Sequence, residues 1–249
     1  MKAHVDSRLR DLLELLSAYG LILAVIWTPM PAQRILYWLA IGLVIGLTVL
    51  RREKLQSLGL APTEAGRSLW IVAAAVVLAV LAVVAARQIG TLHGLPQIGY
   101  LSLRTRVIGY LIWSFVQEFL LQVFVLTRLM RLIPRRSLAI AVSALLFAIA
   151  HIPNPVLILL TLVWALIACH FFLRYRNLYA LGLAHGILGL CVAITVPDAL
   201  HHHMRVGLGY LRYQHPHRFH RRSAPHRVST HAWVTDEAAI LLRDRQARP

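Results

Sequence analysis

From Leu12 onward the chain alternates between long apolar runs and short clusters of Arg, Lys and Pro. Crossing about 30 Å of hydrocarbon takes roughly 17–25 apolar residues in a helix, and seven runs approach or reach that length. They are Leu12–Trp27, Ile35–Leu50, Leu69–Ala86, Val107–Leu126, Leu138–Ile152, Val156–Leu173 and Leu178–Val196. Their boundaries are chemical: Thr28-Pro29-Met30-Pro31 ends the first, Arg51-Arg52-Glu53-Lys54 stops the second, and Pro153-Asn154-Pro155 separates the fifth from the sixth. The pattern predicts an all-α polytopic membrane protein with about seven spans, eight being allowed. Three regions follow: a two-span hairpin over 1–54, a core over 55–196, and a basic, His- and Arg-rich tail over 197–249. That tail reads as partly disordered, with a short helix at most over Thr235–Arg245.

Composition sharpens this reading. Of 249 residues, 58% are hydrophobic and 14% charged, and the mean hydropathy is +0.65. Soluble domains carry about 25% charged residues, so a water-soluble fold is excluded. The excess of 26 Lys+Arg over 10 Asp+Glu belongs to loops that fix topology and meet anionic lipid. With no soluble scaffold for a basic surface, nucleic acid is not an expected partner, whereas membrane lipids are. Arginines and lysines concentrate in loops that place the N-terminus in the cytoplasm, as expected for a multi-pass protein of a bacterial inner (plasma) membrane. Cys169 and Cys191 lie in apolar runs and offer neither a disulfide framework nor a metal pair. Trp113 and Trp164 lie within spans and read as packing residues. His201-His202-His203 reads as a solvated interfacial cluster, with a zinc or nickel site as the alternative.

Candidate chemistry sits inside the membrane. Between Glu64 and Asp198 the chain holds one acid, Glu118, with Gln117 and Gln122 near it on the fourth run. A charge at that depth costs at least about 2.5–3.5 kcal/mol unless it is paired or faces water, which marks it as functional. His151 closes the fifth run and His185 lies inside the seventh. At 1.5 Å per residue the three stand at different depths that one cavity still spans.

The segment Gln117-Glu118-Phe119-Leu120-Leu121-Gln122, then Phe147-x-x-x-His151, then His185 resembles the CPBP family of CAAX proteases and bacteriocin-processing intramembrane endopeptidases. That family's pattern is E-E-x-x-x-R, F-x-x-x-H and H-x-x-x-N. Here Gln117 stands for the first Glu, Gln122 for the Arg and Gly189 for the Asn. The resemblance covers about Leu55 to Leu190 and implies peptide hydrolysis within the membrane by a glutamate-activated water. It makes Glu118, His151 and His185 the catalytic residues, with Gln117, Gln122 and Phe147 as auxiliary or substrate-contacting residues. It implies no cofactor, zinc on Glu118, His151 and His185 being the alternative. The substrate implied is a membrane-anchored protein or peptide, cut at a hydrophobic C-terminal segment of prenylated or sorting-signal type. Two other readings stay open: a non-catalytic membrane binding or immunity protein, and a proton- or ion-coupled transporter. No phosphate-binding glycine loop, nucleophile elbow or H-E-x-x-H motif is present.

Overall fold

A computed structural model of the chain describes residues 2–61, 65–95 and 102–213, with only the backbone of residues 2–6. All seven apolar runs are helical: α1 (Lys2–Trp27), α2 (Ala32–Leu50), α3 (Leu69–Ile89), α4 (Leu103–Glu118), α6 (Arg136–Ile149), α7 (Pro155–Tyr175) and α8 (Leu178–Thr195), with no strand among the described residues. The fourth run leaves α4 through a π-helical segment, Phe119–Leu126, into the short α5 (Thr127–Leu132). Five of the helices are long and apolar enough to cross a membrane: Ala32–Leu50, Ala65–Ile89, Leu103–Leu132, Pro155–Tyr175 and Leu178–Thr195. α6 has 14 residues and is shorter, and α1 carries Asp11 and Glu14 at the start of its apolar part. Beyond α8 the chain makes two short helices, α9 (Asp198–His201) and α10 (Gly207–Leu211). The expected tail helix at Thr235–Arg245 lies outside the described residues.

α8 is the most buried of the five candidate spans, packed between α3 and α4. Small residues make this possible. A Cβ on Gly182 would stand 2.5 Å from the Phe115 ring, and one on Gly186 would stand 2.5 Å from Leu111. This glycine seam brings α4 against α8 as closely as small residues allow between membrane helices. Leu121, Leu126, Ala144, Ala165, Ala168, Phe172, Leu181 and Ala184 complete a core shared by the π segment, α6, α7 and α8. On α3 the opposite holds: Val76, Val77, Leu78, Val80 and Leu81 are exposed, as lipid-facing residues are. The helix starts are fixed by asparagines. Asn177 accepts from the N–H groups of Tyr179 and Ala180 at 3.0 and 3.2 Å and donates to Ser68 Oγ at 2.7 Å. Asn154 accepts from Leu157 N–H at 3.1 Å while its amide donates to the carbonyls of His201 and Arg205, holding the α9 region to the start of α7.

The N-terminal hairpin docks on the π segment and α5 through Leu15, Ala18, Val44, Phe124, Val125 and Leu129. A buried ion cluster joins the same elements. Glu14 accepts from Arg128 Nε at 3.1 Å, from Arg51 Nε at 3.1 Å and from Arg10 Nε at 3.0 Å, and Arg51 also meets Asp11 at 2.5 Å. Arg128 is 1% exposed, with its guanidinium over the Phe124 ring. Arg128 thus serves as a buried partner of Glu14 rather than as a loop cation.

Candidate active site

Glu118 ends α4 with its carboxylate turned into the protein, fully buried. Three groups donate to it: Trp164 Nε1–H to Oε1 at 2.6 Å, His185 Nδ1 to the same oxygen at 2.8 Å, and the Gln122 amide to Oε2 at 3.0 Å. An acceptor-only carboxylate calls for such a set of donors. Each partner arrives from a different element: Gln122 from the first turn of the π segment, Trp164 from the middle of α7, and His185 from α8 beside the glycine seam. π segments recur at functional sites, and here the segment begins with the residue after the acid.

With Nδ1–H on Glu118, the other ring nitrogen of His185 keeps its lone pair, and the imidazole lines a cavity of about 1370 Å³. His151 lines the same cavity. Its Nδ1 lies 2.7 Å from the Phe147 carbonyl and donates to it, so its Nε2 is also left as an acceptor. The Phe147 ring packs against both imidazoles, its centroid 5.0 Å from that of His151 and 6.1 Å from that of His185. Trp164 tilts over His185 at 5.5 Å. Gln117 is half-buried and lines the cavity, whereas Glu118 and Gln122 lie behind its wall.

The structure therefore bonds Glu118 to both His185 and Gln122, links His151 to His185 through their shared contact with Phe147, and sets Gln117 apart on the cavity wall. Trp164 is the contact to Glu118 that sequence reading missed. An indole N–H buried in a span needs an acceptor, and Glu118 was the acid available to supply one.

The second polar cluster lies beyond the C-terminal ends of α3 and α8. His93, Asp198 and His201 place ligand-type atoms within 4.8 Å of one another. Their bonds are those of protons, however. His201 is fully buried, with Nδ1 accepting from Met204 N–H and Nε2 donating to the Val196 carbonyl at 2.8 Å. Binding a metal through Nε2 would move that proton to Nδ1, against the Met204 N–H. His93 reaches the same Val196 carbonyl at 2.8 Å and the Gly94 carbonyl at 3.2 Å. His202 stacks on Tyr210 with centroids 4.1 Å apart. The expectation of a solvated triplet thus fails at His201, which the carbonyl at the end of α8 draws inside.

No curated protein and no solved structure matches the chain. Residues 100–191, which carry α4, the π segment, α6, α7 and the Glu118–His185 contact, match the family model described as type II CAAX prenyl endopeptidase Rce1-like.

Proposed function

We propose that the chain is an intramembrane endopeptidase that cuts hydrophobic C-terminal segments of membrane-anchored substrates, prenylated or sorting-signal in type. The observation that carries this reading is the Glu118–His185 pair. A buried carboxylate fixes one nitrogen of an imidazole that lines a largely apolar cavity and whose other nitrogen is left as an acceptor. A carboxylate in that position holds the ring in one tautomer and stabilises the imidazolium that forms when the ring accepts a proton. The glutamate thus activates water through His185. Water seated between His185 and His151 gives a proton to His185 Nε2 as its oxygen adds to the scissile carbonyl carbon. The carbonyl electron pair moves onto oxygen. The tetrahedral intermediate collapses as the C–N bond breaks, and the leaving nitrogen takes the proton from His185. The products are a carboxylic acid and an amine, and the acid passes its remaining proton to the amine or to solvent. No step of this scheme is routed through a metal, and the described ligand-type atoms that lie within 4.8 Å of one another are those of His93, Asp198 and His201, not those of Glu118, His151 and His185.

The protein in proteoliposomes, given a prenylated or hydrophobic C-terminal peptide, should release a truncated product detectable by mass spectrometry. General-base catalysis contributes typically 10²–10⁴-fold, and Glu118→Gln and His185→Gln should each lower turnover by about that range with the fold intact. Wild-type turnover in both variants would overturn the reading. A specific observation favours one rival, a binding protein using the same cavity: the side chain on the cavity wall next to the acid is Gln117, which can hold a water but cannot take its proton. Tight peptide binding with no product from the wild type would decide for that rival.

A further inference from the structure

Resting on the peptidase reading, we infer that the Tyr110 hydroxyl is the hydrogen-bond donor that receives the carbonyl oxygen of the bound peptide beside His185. Gly189 lies one turn after His185 on α8, about 6 Å along the same face. A Cβ at Gly189 would stand 2.0 Å from the Tyr110 hydroxyl oxygen and 2.7 Å from the ring carbon that bears it. The absence of a side chain at 189 therefore admits the phenol head of α4 to the α8 backbone, next to the imidazole. Tyr110, His151, His185 and Gly189 all line the cavity.

Several hydroxyls of the wall already give their protons to the backbone. Tyr19 donates to the Leu146 carbonyl at 2.9 Å, Ser143 to that of Ala139 at 2.8 Å, Thr161 to that of Leu157 at 2.6 Å and Tyr179 to that of Leu60 at 3.1 Å. Ser114, the phenol's neighbour one turn along α4, gives its own proton to the Tyr110 carbonyl at 2.9 Å, and its side-chain oxygen is the partner that the Tyr110 hydroxyl has and would exchange for the peptide carbonyl. Among the described residues no main-chain carbonyl takes the Tyr110 proton. A peptide carbonyl entering an apolar cavity unpaired costs about 1–3 kcal/mol, and the charge that develops on it during water attack needs a donor more strongly still. His185, with its free nitrogen acting as an acceptor, cannot supply that donor before it is protonated. Tyr110 can.

Tyr110→Phe removes the hydroxyl and keeps the ring over Gly189. In proteoliposomes its kcat on the peptide should fall by about 10²-fold, as for loss of one oxyanion donor, with KM little changed. A second readout does not depend on cleavage. A hydrophobic peptide aldehyde, whose hydrate imitates the tetrahedral intermediate, should bind the wild type more tightly than the matching peptide alcohol, and Tyr110→Phe should abolish that preference. A variant that keeps wild-type kcat and the aldehyde preference overturns the assignment. If the wild type cleaves nothing yet prefers the aldehyde, and the variant does not, the peptidase reading fails while the Tyr110 donor stands. If the wild type shows neither cleavage nor preference, both fall.

Discussion

Gln117 and Glu118 are consecutive on α4, yet only Gln117 lines the cavity, because successive helical side chains diverge by about 100°. The carboxylate consequently lies behind the cavity wall and acts, in the proposed mechanism, through the His185 ring that it holds. A carboxylate on the wall itself would be a different kind of base. Gln117→Glu should leave peptide cleavage equal to wild type or raise it, by up to about 10²-fold if direct proton abstraction becomes the faster route. Product quantification over time checks this. Cleavage by Gln117→Glu from an inert wild type would instead assign the natural chain to the binding-protein reading. The acid and both histidines were legible in the sequence because ionisable groups within spans are rare. The role of Trp164 was not legible, since an indole in an apolar run reads equally as packing or as donor until its acceptor is located.

At the level of elements, helix existence followed from apolar run length, and helix ends followed from proline and asparagine. Asn154 and Asn177 cap α7 and α8 where the sequence breaks. The π segment escaped notice for a physical reason. Phe119–Leu126 is apolar except for Gln122, and nothing in such composition distinguishes a five-residue from a four-residue hydrogen-bond step. The cluster beyond α3 and α8 also depends on folding, since Val196, His93 and His201 are brought together only when the two helix ends meet. Burial pushes the His93 imidazole below its ordinary 6.5, but the Val196 and Gly94 carbonyls and the charge of Asp198 outweigh it, and the net shift is upward. The His201 ring lies 6.5 Å away. A group whose folded pKa is raised adds stability that is complete below its unfolded value and is lost as pH rises through the folded one. The thermal midpoint in detergent should therefore fall as pH rises from about 6 through neutrality, and His93→Gln should flatten that slope. An unchanged slope in the variant would remove His93 as the tether between α3 and α8.

Across the whole molecule, the N-terminal hairpin is fastened to the π segment and α5 by charge as well as by apolar packing. Glu14 is 6% and Arg128 1% exposed. Removing one partner of such a pair strands the other and costs about 3–5 kcal/mol. Glu14→Gln should lower thermal stability accordingly in detergent, with a lesser loss for Glu14→Gln combined with Arg128→Met, since the double variant leaves no buried charge unpaired. Equal losses would show that the cluster is screened by solvent.

The seam between α4 and α8 has a consequence for how such a sequence can change. Where Gly182 faces Phe115 and Gly186 faces Leu111 at 2.5 Å from a notional Cβ, neither side can grow unless the other shrinks. Substitutions there become permissible in matched pairs and not singly, so the histories of positions 111 and 186, and of 115 and 182, are tied. A library randomising both members of each pair should return folded variants in which combined side-chain volume is nearly constant. Divergence at this contact would then proceed by compensation, keeping the distance from Glu118 to His185 while the residues that set it are replaced.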